Sequence, residues 1–235
     1  MKKGTLYLVP NLLGGGNYDY CLPHNYGTIL SNIHFFIVED IRNARRFLKY
    51  GHYISNFDDV VFLLLNKHTQ AETYSSFLLE AEKGHDIAMI SEAGCPCIAD
   101  PGAIIVEMAH HKNINVKPLV GPSSIILALM ASGFNGQNFC FNGYIPIKPY
   151  ERQKKIKELE KKALHDKQTQ IFIETPYRNQ KLFEDILNTA HHNTKLCLAC
   201  NLTLDDESIK THTIAEWKRI KIDINKKQLV FLISV

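Results

Sequence analysis

Apolar residues along this chain fall into two alternating rhythms. Short, continuously apolar runs occupy 5–10 (TLYLVP), 34–40 (HFFIVED), 60–66 (VVFLLLN) and 86–90 (DIAMI). Each is bounded by polar or turn-forming residues, which predicts buried strands. Between them the spacing becomes helical. Residues 41–51 (IRNARRFLKYG) stop at Gly51, and 69–84 (TQAETYSSFLLEAEKG) place Tyr74, Phe77, Leu78 and Ala81 on one face. Thr69 can cap that second helix and Gly84 can end it. Residues 11–20 read as a loop, 102–113 as a helix with Asp100 as its cap, and 115–120 as a short strand.

The second half repeats the alternation. Residues 121–134 begin with Pro122, Ser123 and Ser124, suited to a first helical turn with unpaired N–H groups. Strands are predicted at 138–146, 169–175, 195–203 and 228–234, helices at 147–167 and 178–192, and a mixture at 208–220. Strand–helix alternation throughout predicts an α/β protein. The loops around 118–123 divide it into two domains, 1–119 and 120–235.

Composition narrows this picture only a little. Of 235 residues, 45% are hydrophobic and 22% charged, with a formal net charge of +3. A core is affordable, and the charge permits a phosphate-bearing partner without demanding one. No run reaches the roughly 20 apolar residues of a membrane helix, and MKKGTLYLVP is too short in apolar residues for a signal peptide. The expectation is a cytoplasmic protein with no membrane partner. Cys197 and Cys200 match a C-x-x-C spacing. On a strand, however, residues three apart face opposite ways, so no metal site is expected. The helix at 147–167 carries Lys/Arg at 148, 152, 154, 155, 157, 161, 162 and 167 around an apolar stripe of Ile156, Leu159, Ala163 and Leu164. Its basic side is either a solvated face or a rim for RNA phosphates.

Polar or small residues recur where predicted strands end. Pro10 and Asn11 follow the first strand, Glu39, Asp40 and Arg42 the second, Asn66, Lys67 and His68 the third, and Glu92, Ala93 and Gly94 the fourth. In an open α/β sheet the ligand crevice lies outside the carboxyl ends of the strands. Ala93 and Gly94 would let a ligand approach backbone amides, as an adenosine-bearing cofactor requires. The glycines at 14–16 lack the G-x-G-x-x-G spacing, and no G-x-x-x-x-G-K-[ST] or G-x-S-x-G is present.

The segments LYLVP, VED-x-R, SEAGCPCIADPG (91–102), PLVGPSS and FIETPYR, in this order, resemble the tetrapyrrole methylase superfamily, the class III S-adenosyl-L-methionine-dependent methyltransferases. The branch they most resemble methylates the ribose 2′-hydroxyl of a cytidine in small-subunit ribosomal RNA. The resemblance implies two α/β domains with a cofactor cleft between them, and a homodimer. It implies cofactor contacts from Pro10, Ala93, Gly94, Cys95, Ile98, Ser123, Ser124, Thr175, Asn201 and Leu202. Glu39, Asp40 and Arg42 become candidate catalytic residues, with Ile41 where the family has threonine. A salt bridge that pins a helix start is the structural alternative for Glu39 and Arg42. Lys67, His68, Glu174 and Arg178 become candidate substrate contacts. Ribosomal RNA or the small ribosomal subunit is the expected partner. A tetrapyrrole, another small molecule or a protein is the alternative substrate, and a cofactor-binding protein without catalysis is the third reading.

Overall fold

The pattern of apolar runs resolves into two separate sheets, one in each of two compact units, Met1–Ser123 and Ser124–Val235. The computed structural model describes residues 2–51, 53, 56–66 and 68–235. The α/β architecture expected from the alternation is the one found.

Unit 1 runs β1 (Thr5–Val9), α1 (Tyr18–Cys21), α2 (Tyr26–Leu30), β2 (Phe35–Val38), α3 (Ile41–Tyr50), β3 (Val61–Leu64), α4 (Leu79–Glu82), β4 (Ile87–Ile90), α5 (Ala103–His111) and β5 (Asn115–Pro118). Among the described residues the strands form one parallel sheet in the order β3-β2-β4-β1-β5. The central strand β4 is buried along its whole length. Its alternate residues enter different cores: Ala88 and Ile90 pack with Val9, Phe36 and Val38, whereas Ile87 and Met89 pack with Leu6 and Ile37. A parallel sheet covered on both faces needs such uninterrupted apolar strands.

Four local expectations change. Residues 71–78 wind as a 3-10 helix, Ala71–Leu78, before the short α4. The hydroxyls of Thr73 and Ser76 donate to the carbonyls of Gln70 and Thr73, at 2.7 and 2.6 Å, and such local bonding competes with regular α geometry. Thr69 does not cap this segment. Its Oγ1 accepts the Asn66 N–H at 2.8 Å and closes the preceding turn. Asp100 likewise lies ahead of α5, where its Oδ1 accepts the Gly102 N–H at 2.8 Å and Gly102 takes the cap position. Residues 11–20 contain the start of α1, capped by Asn17, which the loop expectation omitted.

Unit 2 runs α6 (Ser124–Ser132), β6 (Phe139–Tyr144), α7 (Pro149–His165), β7 (Thr169–Ile173), α8 (Asn179–Thr189), β8 (Lys195–Cys200), β9 (Ser208–Thr213), α9 (Ile214–Trp217) and β10 (Leu229–Ser234). Its sheet has the order β6-β7-β10-β8-β9, with β6 and β7 parallel and the other pairings antiparallel. Trp217 is fully buried, and its indole N–H donates to the Leu196 carbonyl at 2.8 Å. Cys197 and Cys200 are both buried on β8 as free thiols.

The stripe on α7 needs revision. Ile156, Leu159 and Ala163 are buried, but Leu164 is 59% exposed. Arg152 fills the fourth buried position, 5% exposed, although its type placed it on the basic side. Its Nε donates to Asp185 Oδ2 of α8 at 2.6 Å, and one terminal nitrogen donates to the Ile147 carbonyl at 2.6 Å. A guanidinium inside is tolerable because both its charge and its donors are satisfied.

Candidate active site

Strand register assembles the mouth of unit 1. Val38 and Val9 both pair with Ile90, so the residues just beyond β1, β2 and β4 emerge side by side. Asn11, directly after Pro10, joins the first exit loop to the fourth. Its N–H donates to the Gly94 carbonyl at 2.9 Å, and the Gly94 N–H returns to the Asn11 carbonyl at 3.1 Å. The Asn11 amide also donates to the Ser91 carbonyl at 2.9 Å. Gly94 has φ +68°, and a Cβ there would sit 3.1 Å from Leu13 Cδ2. Cys97 (φ 67°) and Ala99 (φ 59°) are left-handed as well. Such backbone costs about 1–3 kcal/mol per residue and clusters where a turn serves a ligand.

The expected bare backbone edge is therefore narrower than the sequence implied. Gly94 is buried with both peptide groups taken by Asn11, while exposed Ala93 and half-buried Cys95 flank it. Ile98 is 51% exposed and Val120 77% exposed. Pro10 is buried, and Gly121 packs so closely on it that a Cβ would fall 2.3 Å from Pro10 Cβ. The Tyr26 hydroxyl donates to the Val120 carbonyl at 2.5 Å and fixes the exit of β5. Ser123 lies half-buried at the end of this unit.

The catalytic candidates separate by what their side chains do. Asp40 is exposed and caps α3, accepting the Asn43 N–H at 2.9 Å. Arg42 is exposed, and among the described residues no ion pair joins it to Glu39 or Asp40. The helix start is pinned by the Asp40 cap rather than by the salt bridge considered above. Glu39 is half-buried and faces a recess of about 10 Å³, with Asp100, Pro101, Met89 and Leu65 around it. Burial, then the charges of Asp100 and Glu92 and a hydrogen bond to Asp100, push its carboxyl up from 4.5 to about 7. Glu92 is itself held by the Asn43 amide, whose Nδ2 donates to Oε2 at 2.5 Å. Neither Asp100 nor Glu92 was legible as a partner of Glu39, because only the sheet register brings them together. His68 is exposed, its N–H donated to Asn66 Oδ1 at 2.9 Å. Lys67 lies outside the described residues.

In unit 2, Glu174 and Arg178 engage each other. Glu174 is 1% exposed at its side chain, and its Oε1 accepts the Arg178 Nε at 2.7 Å and the Thr175 N–H at 2.7 Å. The pair braces the turn into α8. Asn201 (φ 48°) follows β8. Its Nδ2 donates to Asp206 at 2.7 Å and its Oδ1 accepts the Gln228 N–H at 3.0 Å. Leu202 is buried, and Ser124 begins α6 half-buried.

An α/β chain with a carboxyl-lined mouth at the ends of parallel strands defines a ligand-binding class rather than one reaction. The profile of the Tetrapyrrole (Corrin/Porphyrin) Methylases matches residues 35–218, and the chain belongs to that family. It is 31% identical over 238 residues to the Ribosomal RNA small subunit methyltransferase I of Buchnera aphidicola subsp. Schizaphis graminum, spanning 99% of this chain and 79% of that protein. The protein of the same name from Vibrio cholerae is 31% identical across 95% of this chain and 74% of its own length. Among solved structures, the methyltransferase CobJ superposes with a TM-score of 0.63 at 16% identity, over 98% of this chain and 94% of that one, a likeness of fold.

Proposed function

We propose that the chain is an S-adenosyl-L-methionine-dependent methyltransferase that acts on the ribose 2′-hydroxyl of small-subunit ribosomal RNA. The observation that carries the substrate is the 31% identity, across nearly the whole chain, to a protein named for that RNA. The unit 1 mouth fits the cofactor by its chemistry. Ile98 and Val120 offer apolar surface, Ala93 and Cys95 offer backbone, and the carboxyl cluster complements a positive charge. When bound, the cofactor supplies a methyl group on a positively charged sulfur.

The remaining work falls to the chain's own residues. A ribose hydroxyl is a weak nucleophile, and methylation exchanges its O–H bond for an O–CH3 bond, releasing one proton. Glu39 is the proposed acceptor of that proton, since a carboxyl raised to about 7 is matched to proton transfer near neutral pH. Burial raises that proton affinity most, and Asp100 and Glu92 add to it as positioning residues. Asp40 holds the start of α3, so Glu39 is presented from a fixed strand end. Arg42 and His68 are exposed near this mouth and stand as proposed substrate contacts. Orientation of methyl and hydroxyl supplies most of the remaining rate.

The test is transfer from methyl-labelled cofactor to small ribosomal subunits, naked small-subunit RNA and a tetrapyrrole, with calorimetry of cofactor binding beside it. Label in the RNA at a 2′-oxygen is the expected result. Label in the tetrapyrrole alone, or cofactor binding without transfer to anything, overturns the RNA reading.

A further inference from the structure

The charged helix α7 sorts its residues in a way composition conceals. Each glutamate on it is already engaged. Glu151 pairs with Lys148 at 3.4 Å, and Glu158 pairs with Lys155 and Lys162, each at 3.0 Å. Glu160 turns away to accept the His191 N–H at 2.7 Å and the Thr194 hydroxyl at 2.5 Å. Arg152 is inside, against Asp185. What remains is Lys154, Lys157 and Lys161, exposed and joined by no ion pair among the described residues.

These three are spaced i, i+3, i+7. At about 3.6 residues per turn they share one stripe, opposite the buried Ile156, Leu159 and Ala163. Tyr150, 78% exposed, falls on the same stripe at its amino-terminal end. From Lys154 to Lys161 the helix rises about 10 Å at about 1.5 Å per residue. The stripe is thus a straight row of unneutralised ammonium groups on a rigid element, with an aromatic ring at one end. An anionic polymer with regularly repeated charges and stackable bases matches both features. A membrane surface would call for a broad apolar face beside the lysines; here Ile156, Leu159 and Ala163 are packed inside, and Leu164 is the one exposed member of that stripe.

We propose that the Lys154–Lys157–Lys161 row of α7 is a docking surface for the phosphate backbone of the RNA substrate, a sequence-independent contact that positions the chain. It rests on the reading of RNA as substrate and adds where on unit 2 that RNA is held. Gln keeps the helix while removing the charge, so the variant K154Q/K157Q/K161Q isolates it. A control, K210Q/K218Q/K221Q, removes the same charge from exposed lysines elsewhere in unit 2.

Binding of the full chain to naked small-subunit ribosomal RNA is measured across a salt series. Each lost phosphate contact lowers the slope of log affinity against log salt by about 0.7, so the stripe variant should be shallower by about 2. Its calorimetric affinity for S-adenosyl-L-methionine should be unchanged. An unchanged RNA slope overturns the proposal, as does an equal loss in the control, which would mean a diffuse field. Lysine-dependent binding to anionic phosphatidylserine vesicles with RNA binding intact overturns it in favour of a lipid surface. If the wild-type chain neither binds nor methylates RNA, the substrate reading itself falls. Methylation that is indifferent to the stripe variant removes only the docking surface.

Discussion

Glu39 and Asp100, sixty-one residues apart in sequence, line the same small recess at the open end of the unit 1 sheet. Burial, and then the negative charges of Asp100 and Glu92 beside it, make Glu39 keep its proton up to about pH 7.

This has a stability consequence with a definite sign. Glu39 is raised from 4.5 to about 7, so the folded chain binds its proton more tightly than the unfolded chain does. The associated stability is fully present below 4.5 and is lost as pH rises through about 7. Glu39→Gln stays neutral and removes that loss. Urea denaturation should therefore find the variant gaining on the wild type between about pH 5 and about pH 8. A constant difference over that range would contradict the raised Glu39 carboxyl.

Methyl transfer should depend on the same group. Activity under cofactor saturation should climb as pH passes through about 7, where Glu39 ionises. Glu39→Gln should lower kcat by about 100-fold to about 10,000-fold while weakening cofactor binding far less. Asp100→Asn should shift the limb of the profile to lower pH rather than abolish activity, since it removes a negative neighbour. A profile that ignores both substitutions would exclude Glu39 as proton acceptor.

Gly94→Ala tests the strained turn. The residue sits at φ +68°, and the new methyl would press on Leu13 at 3.1 Å. A loss of about 1–2 kcal/mol is expected from the backbone alone, together with weaker cofactor binding by calorimetry. Stability lost without any change in binding would separate the turn from the ligand.

Arg152→Ala should be among the more damaging single changes in unit 2. It leaves the Asp185 carboxylate, 8% exposed, with Lys181 at 3.1 Å as its remaining ion-pair partner among the described residues. Breaking a buried pair on one side costs about 3–5 kcal/mol, and the Lys181 contact should hold the loss near the lower figure. Arg152→Lys should recover only part of it, because an ammonium cannot serve Asp185 and the Ile147 carbonyl with the same fork.

Much of this is legible in the sequence, and the boundary follows physical range. Period and capping are local, so β1, β2, β4 and α8 emerge from spacing alone. Local hydroxyl competition hid the 3-10 character of residues 71–78, since Thr73 and Ser76 disturb geometry without disturbing the apolar face. Arg152 was misplaced because residue type outweighed position. Its slot on α7 is the inward one, and the partner that makes this tolerable lies thirty-three residues on. Glu39 could be singled out at a strand end, but its proton partner could not, because that depends on Val38 aligning with Ile90. The glutamate of Glu174–Arg178 looked available in sequence, yet it is nearly solvent-free and engaged by its neighbour.

The paired peptide bonds of Asn11 and Gly94 couple two exit loops that are distant in the chain. Neither loop can open without breaking both bonds, so the two move as one jaw. Their amide protons should exchange with solvent at a common rate, and a ligand seated against Ala93 would slow exchange at Asn11, which it need never touch.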